Sequence, residues 1–238
     1  MFIGVSAKVF RVICCILLLT TVITGKYWYK NQVALAWETI IYELSEDLEG
    51  TPDYKNSLDY NLESIYQIDS KGGWKKLSLQ QQTETLSKII KIECRYFGMV
   101  DSAPTLKVAL LEEGVLGEFD NENDVITLSY QYLKDTDNDG YEILRVLLHE
   151  IRHRFQHRCV DLLNKVEENA ELAKYANLLL FYPVSQYREE MENYCSGNDG
   201  SIVSYYLYSS QAMEVDADQY ADTAVEDYRQ RIQEYLNS

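Results

Sequence analysis

The sequence predicts a helix-rich α+β domain with a small sheet or hairpin set beside one long helix. Three observations predict it. Apolar residues recur at three- and four-residue steps over most of the 238-residue chain, the period of a helix packed along one side. Between about residues 105 and 130 the pattern shortens to β-rich runs broken by a polar turn. A hydrophobic content of 46% with only three prolines is enough for one well-packed core and does not fit a disordered chain.

Residues 1–25 read differently from the rest. Lys8 and Arg11 precede the run VICCILLLTTVIT, after which Thr24, Gly25 and Lys26 take over. Its 13 apolar or near-apolar residues fall short of the ~20 that span a bilayer. The segment is expected to be a signal peptide or an N-terminal membrane anchor, residues 9–24 being the tether in the second case. Either form predicts a protein that is secreted or membrane-anchored, facing outside the cytoplasm. The 22 basic and 38 acidic residues give a formal net charge of −16, which argues against nucleic acid and anionic lipid as partners. Losing Lys8 and Arg11 with the first 24 residues leaves 20 basic against 38 acidic, a charge of −18, so a charged peptide partner should be basic. Beyond this segment Cys94, Cys159 and Cys195 remain, which permit at most one internal disulfide.

Residues 26–100 read as an N-terminal helical region. Val33, Leu35, Trp37, Ile40, Ile41 and Leu44 predict a helix from Tyr27 to about Glu49, ended by the turn at 51–53. A second helix is expected over Leu58 to Ile68, a break at DSKGGW, and a third helix over residues 78–98, stopped by Gly98. Residues 101–238 carry the rest. LKVALL reads as a strand, and VLGEF and VITLSY, separated by DNEND, as a hairpin whose second strand is about Val125 to Tyr130. Ile143, Leu144, Leu147, Leu148, Ile151 and Phe155 then trace the apolar face of a long helix, with Asp139 and Glu142 as its cap. The DTDNDG run resembles the opening of a calcium loop, but the twelfth position, which should be glutamate, is Val146; a capped turn is the better reading. Further helices are expected over KVEENAELAKYANLLLFYP, ending near Pro183, over SQYREEMENYC, and from about Ser210 to Tyr235, with SGNDG as a loop.

Chemistry concentrates in LLHEIRHRFQH, residues 147–157, which holds all three histidines of the chain. His149 and His153 are one helical step of four apart, so their imidazoles project from one face and can share a metal ion. Glu150 lies ~100° round the helix from His149, placed to hold a water beside that metal without replacing it. This is the geometry of a His-Glu-x-x-His zinc site, in which the carboxylate takes a proton from the water that attacks an amide carbonyl. A catalytic zinc takes a third protein ligand. His157, one turn further on, would not converge with the other two and reads as a flanking or partner-binding residue. The better candidate is on the last predicted helix, where Glu214 and Asp218 are four apart and Ala217, Ala221 and Ala224 leave a side narrow enough for close approach. The plain alternative is that Glu214 and Asp218 form a solvated acidic face.

On these residues the chain resembles the gluzincin branch of the zincin metallopeptidases, where a second helix supplies a glutamate ligand in a Glu-x-x-Ala-Asp context matched here by Glu214, Ala217 and Asp218. A metzincin pattern is excluded, because it needs glycine at 156 and histidine at 159 and the residues are Gln156 and Cys159. The resemblance covers about residues 115–130, 139–158 and 210–225. It implies a compact zincin-like core, Zn2+ held by His149, His153 and Glu214, Asp218 accepting a hydrogen bond from a ligand histidine, and Glu150 as general base of a zinc metalloendopeptidase acting on peptide or protein substrates. It also implies an edge strand beside the cleft, which VITLSY is expected to supply. Arg152 and Arg154 depart from the pattern, standing where such peptidases usually carry uncharged residues. One of Tyr205, Tyr206 and Tyr208 could donate to a developing oxyanion. The alternative function is a non-catalytic zinc-binding interaction protein derived from a metallopeptidase fold, with Cys159 as the fourth ligand of a closed site.

Overall fold

Side-chain caps start the two helices around which the core forms. Ser78 accepts from the Gln81 backbone N–H while the Gln81 side chain accepts from Ser78 N, and Asp139 and Glu142 make the same reciprocal pair. Four N–H groups at a helix start lack internal partners, so each such box fixes where the helix begins. The structure, a computed structural model, describes residues 58–238 apart from 72, 98, 100–102, 136–137, 177–180 and 198–200. The segment 1–25, the helix expected from Tyr27 to Glu49, the turn at 51–53 and the stop at Gly98 lie outside the described residues.

In chain order the described elements are α1 (Leu62–Ile65), α2 (Leu79–Tyr96), β1 (Thr105–Ala109), β2 (Gly117–Asp120), β3 (Val125–Ser129), α3 (Tyr130–Lys134), α4 (Gly140–Glu168), α5 (Tyr182–Glu192), α6 (Ile202–Ser209) and α7 (Ala212–Asn237). This is the helix-rich α+β arrangement with a small sheet that the periodicity predicts. The described residues form one compact unit, and α1 and α2 share its core. Ile65, Leu86, Ile89 and Ile90 pack with Ile126 and Leu128 of β3, with Ile143, Leu144, Leu147, Leu148 and Ile151 of α4, and with Ala221, Tyr228 and Ile232 of α7.

Three expectations are corrected. The helix expected over Leu58 to Ile68 is a single α-turn between two 3-10 turns, which still deliver Leu58, Ile65 and Ile68 to the core. Lys165 to Glu168 belong to the end of α4, and Pro183 lies in the first turn of α5. A proline lacks the N–H that a first turn leaves unpaired, so it begins a helix there without cost. The sheet order is β1-β3-β2, with β1 parallel and β2 antiparallel to β3. β3 is therefore the central strand, buried at all five positions, and has no free edge; β2 is the edge strand packed against α4.

Two of the closest approaches in the fold need glycine. A side chain at Gly140 would put its Cβ 2.1 Å from the Ile68 carbonyl oxygen, and one at Gly117 would put it 2.8 Å from Val146 Cγ1 and 2.9 Å from Glu150 Oε1. The hairpin turn is pinned from the helix side, because Arg154, 1% exposed, donates through Nε to Asp124 Oδ1 at 2.6 Å and through Nη2 to Oδ2 at 2.9 Å. Asp124 is the one described non-glycine residue with positive φ, at 49°. Gly140→Ala should lower stability by about 1–3 kcal/mol, the scale of overpacking, because backbone must move to admit the methyl. Chemical denaturation measures this, and an unchanged midpoint would contradict the close approach.

Candidate metal centre

The face of α4 that carries His149 and His153 meets α7 where Ala217 and Ala221 are fully buried, so Glu214 comes within reach of both rings. His149 Nε2 lies 3.3 Å from Glu214 Oε2, His153 Nε2 lies 3.6 Å from Glu214 Oε1, and the two Nε2 atoms are 2.9 Å apart. Zinc bonds of ~2.0–2.2 Å at tetrahedral angles place neighbouring donors ~3.3 Å apart, so these three separations straddle the value a single ion needs. All three donor atoms lie within 4.8 Å of one another, and this is the one group of its kind among the described residues. Glu214 is 1% exposed, and its Oε2 is buried with no hydrogen-bond donor. A buried carboxylate oxygen without a donor is costly, and a cation between the rings is the group that would satisfy it.

Each ring is held from behind. His149 Nδ1 lies 3.1 Å from Asp218 Oδ1, which also accepts from Arg145 Nη2 at 3.1 Å. His153 Nδ1 lies 2.9 Å from Gln156 Oε1. Tyr194, not anticipated from the sequence, donates its hydroxyl to Glu214 Oε1 at 3.0 Å. Burial raises the Glu214 pKa, but the contacts with His149 and His153 outweigh it and hold the carboxyl well below the usual carboxylate range. Burial pulls His153 down, while the Glu214 hydrogen bond and the charges of Glu150 and Glu214 push it up to about 9.

Glu150 sits beside the cluster, 6% exposed, with its carboxyl against the β2 backbone at Gly117. Burial raises its pKa, the nearby His153 and His149 charges only partly offsetting it. His157 packs edge-on against Phe119 of β2, ring centroids 5.8 Å apart, away from the cluster. Cys159 is not a member either; burial raises its thiol to about 12, and Cys94, Cys159 and Cys195 are all free. Tyr205 and Tyr206 are 65% and 71% exposed, whereas burial and the neighbouring Glu214 push the Tyr208 hydroxyl pKa up. The two unexpected arginines are structural. Arg154 holds the hairpin turn, and Arg152 grips Asp216 of α7 at 2.7 and 2.9 Å while its guanidinium lies over Phe97, Phe155 and Tyr220.

Set against known protein families, curated proteins and solved structures, the chain finds no match. The case for the site therefore stands on its motif and this geometry.

A carboxyl whose folded pKa lies above its unfolded value of ~4.3 costs stability once pH exceeds that value, because folding must desolvate the charge or bind a proton. In metal-free protein Glu150→Gln should therefore raise the melting temperature at pH 7, and the advantage should shrink toward pH 4, where both states are protonated. Thermal melts with a chelator present measure it. A variant less stable than the unmodified chain at pH 7 would contradict the burial argument.

Proposed function

We propose that this protein is a zinc-dependent peptide hydrolase of gluzincin type, with His149, His153 and Glu214 as metal ligands, Asp218 as the partner of His149, and Glu150 as general base. The observation that carries the reading is the close group of His149, His153 and Glu214 donors, the two histidines standing on the helix that also carries the buried Glu150 carboxyl, which lies against β2 at Gly117. Zinc, when bound, supplies a Lewis acid that polarises a carbonyl and brings the pKa of water toward ~7. Glu150 takes the proton from the attacking water and can return it to the leaving amine. Burial, which disfavours its charge, makes the carboxylate a stronger base toward the water proton. His149 and Glu214 keep their donors turned inward because Asp218 and Tyr194 hold their other polar atoms.

The substrate path follows from β2. Its outer edge has no strand partner among the described residues, so an extended peptide adding there would run its backbone past Glu150. Gly117 lets β2 lie this close to Glu150, because a Cβ there would press on the carboxyl. The chain's net charge of −16 favours basic peptides. Residues 1–25 would carry the export signal or tether that brings the enzyme to the outer side of a membrane. Three protein donors leave a position free for water, which favours catalysis over a closed structural site, and Cys159 lies outside the group that would have to hold that closed site.

Glu150→Gln keeps the side chain's shape but removes its capacity to accept the proton. Purified protein should retain stoichiometric zinc while cleavage of an unstructured protein falls by about 10²-fold or more. Cleavage at the unmodified rate would end the assignment of Glu150.

A further inference from the structure

We propose that Gln156 is the positioning residue for His153, and that Asp216 and Arg152 lock it in the orientation that turns the His153 Nε2 lone pair into the metal site; this rests on the metal reading above. Gln156 is 0% exposed and sits one turn beyond His153 on α4. Its Nε2 lies 2.8 Å from the Met213 carbonyl oxygen and 2.8 Å from Asp216 Oδ2. Both of those groups accept and neither donates, so the amide must present its NH2 to them. The remaining end is an oxygen, which can only accept, and it faces His153 Nδ1 at 2.9 Å. Nδ1 therefore carries the hydrogen, and in the neutral ring the lone pair falls on Nε2, the atom that faces His149 and Glu214.

What fixes the amide is itself fixed. Asp216 Oδ2 receives Arg152 Nε at 2.7 Å, Oδ1 receives Arg152 Nη2 at 2.9 Å, and Arg152 is held over Phe97, Phe155 and Tyr220 at 5.5, 4.7 and 5.1 Å from their centroids. The two ligand histidines are thus held in different ways. His149 leans on a half-exposed carboxylate, Asp218, whereas His153 leans on a neutral amide whose charged support lies one residue further back. The relay leaves no new negative charge against the buried ring and keeps α4 and α7 in one register at the site.

The test compares the unmodified full chain with Gln156→Leu and, because that change is fully buried, with Asp216→Ala, whose side chain is 26% exposed in the folded protein. Zinc affinity is read by competition with a chromophoric chelator, and ligand geometry by the visible absorption of the cobalt-substituted protein. Gln156→Leu should weaken zinc binding by roughly 10- to 100-fold and shift the cobalt bands. Asp216→Ala should do both to a smaller extent. A merely structural role would lower the melting temperature and leave the cobalt spectrum unchanged. Unmodified affinity and spectrum in Gln156→Leu, or in Asp216→Ala if Gln156→Leu does not fold, would overturn the relay. If the unmodified chain binds no zinc, the metal reading fails and the relay falls with it.

Discussion

Two imidazole nitrogens and a carboxylate aimed at one point need a positive charge among them, whether a proton or a cation. His149 Nε2, His153 Nε2 and the Glu214 carboxylate stand in that relation, at 2.9, 3.3 and 3.6 Å, and the fold holds them there on two long helices whose contact is closed by Ala217 and Ala221. Such a cluster loses water on burial, a cost that the attraction between Glu214 and the two rings offsets. It persists because α4 and α7 are cross-braced on either side of it. Arg145 links Asp218 and Asp222, and Arg152 links Asp216. The buried Glu150 adds a cost of its own, because burial disfavours its charge.

The arrangement of the small sheet follows from the same helix. β2 can lie against α4 only because Gly117 has no side chain to meet Val146 and Glu150, and the hairpin turn is fixed by the buried Arg154 gripping Asp124. α4 thus organises three things at once: its apolar face forms the core, its histidine face meets α7, and its arginines fix the neighbouring elements. Arg152 and Arg154, which look out of place in a zinc-site helix when read from the sequence, tie α4 to α7 and to the hairpin turn.

Much of this was legible in the sequence, for local reasons. The Asp139–Glu142 cap, the i, i+4 histidines and the hairpin around DNEND depend on residues close in the chain, and the structure contains each of them. Glu214 was legible through its motif and the alanine spacing beside it. What misled was the order of strands. A hairpin shows that β2 and β3 pair, but β1 arrives from residues 105–109 to cover the far side of β3, and only the near-continuous apolar run VITLS hinted at a strand buried on both faces. Pro183 was misread because a proline punctuates a helix from either end. Gln156, Tyr194 and the Arg152–Asp216 pair were not legible: Gln156 lies only three residues from His153, but the groups that orient it, and the partners of Tyr194 and Arg152, lie between 20 and 64 positions away in the chain.

The central claim is that one metal ion is held by two imidazoles and one carboxylate, and zinc K-edge X-ray absorption on the purified, zinc-loaded chain tests it most directly. The account predicts a first shell of nitrogen and oxygen at ~2.0–2.2 Å, with the outer-shell signature of two imidazole rings and no sulfur. A zinc–sulfur distance of ~2.3 Å, which would bring Cys159 or another thiol into the shell, or a shell without imidazole scattering, would contradict it.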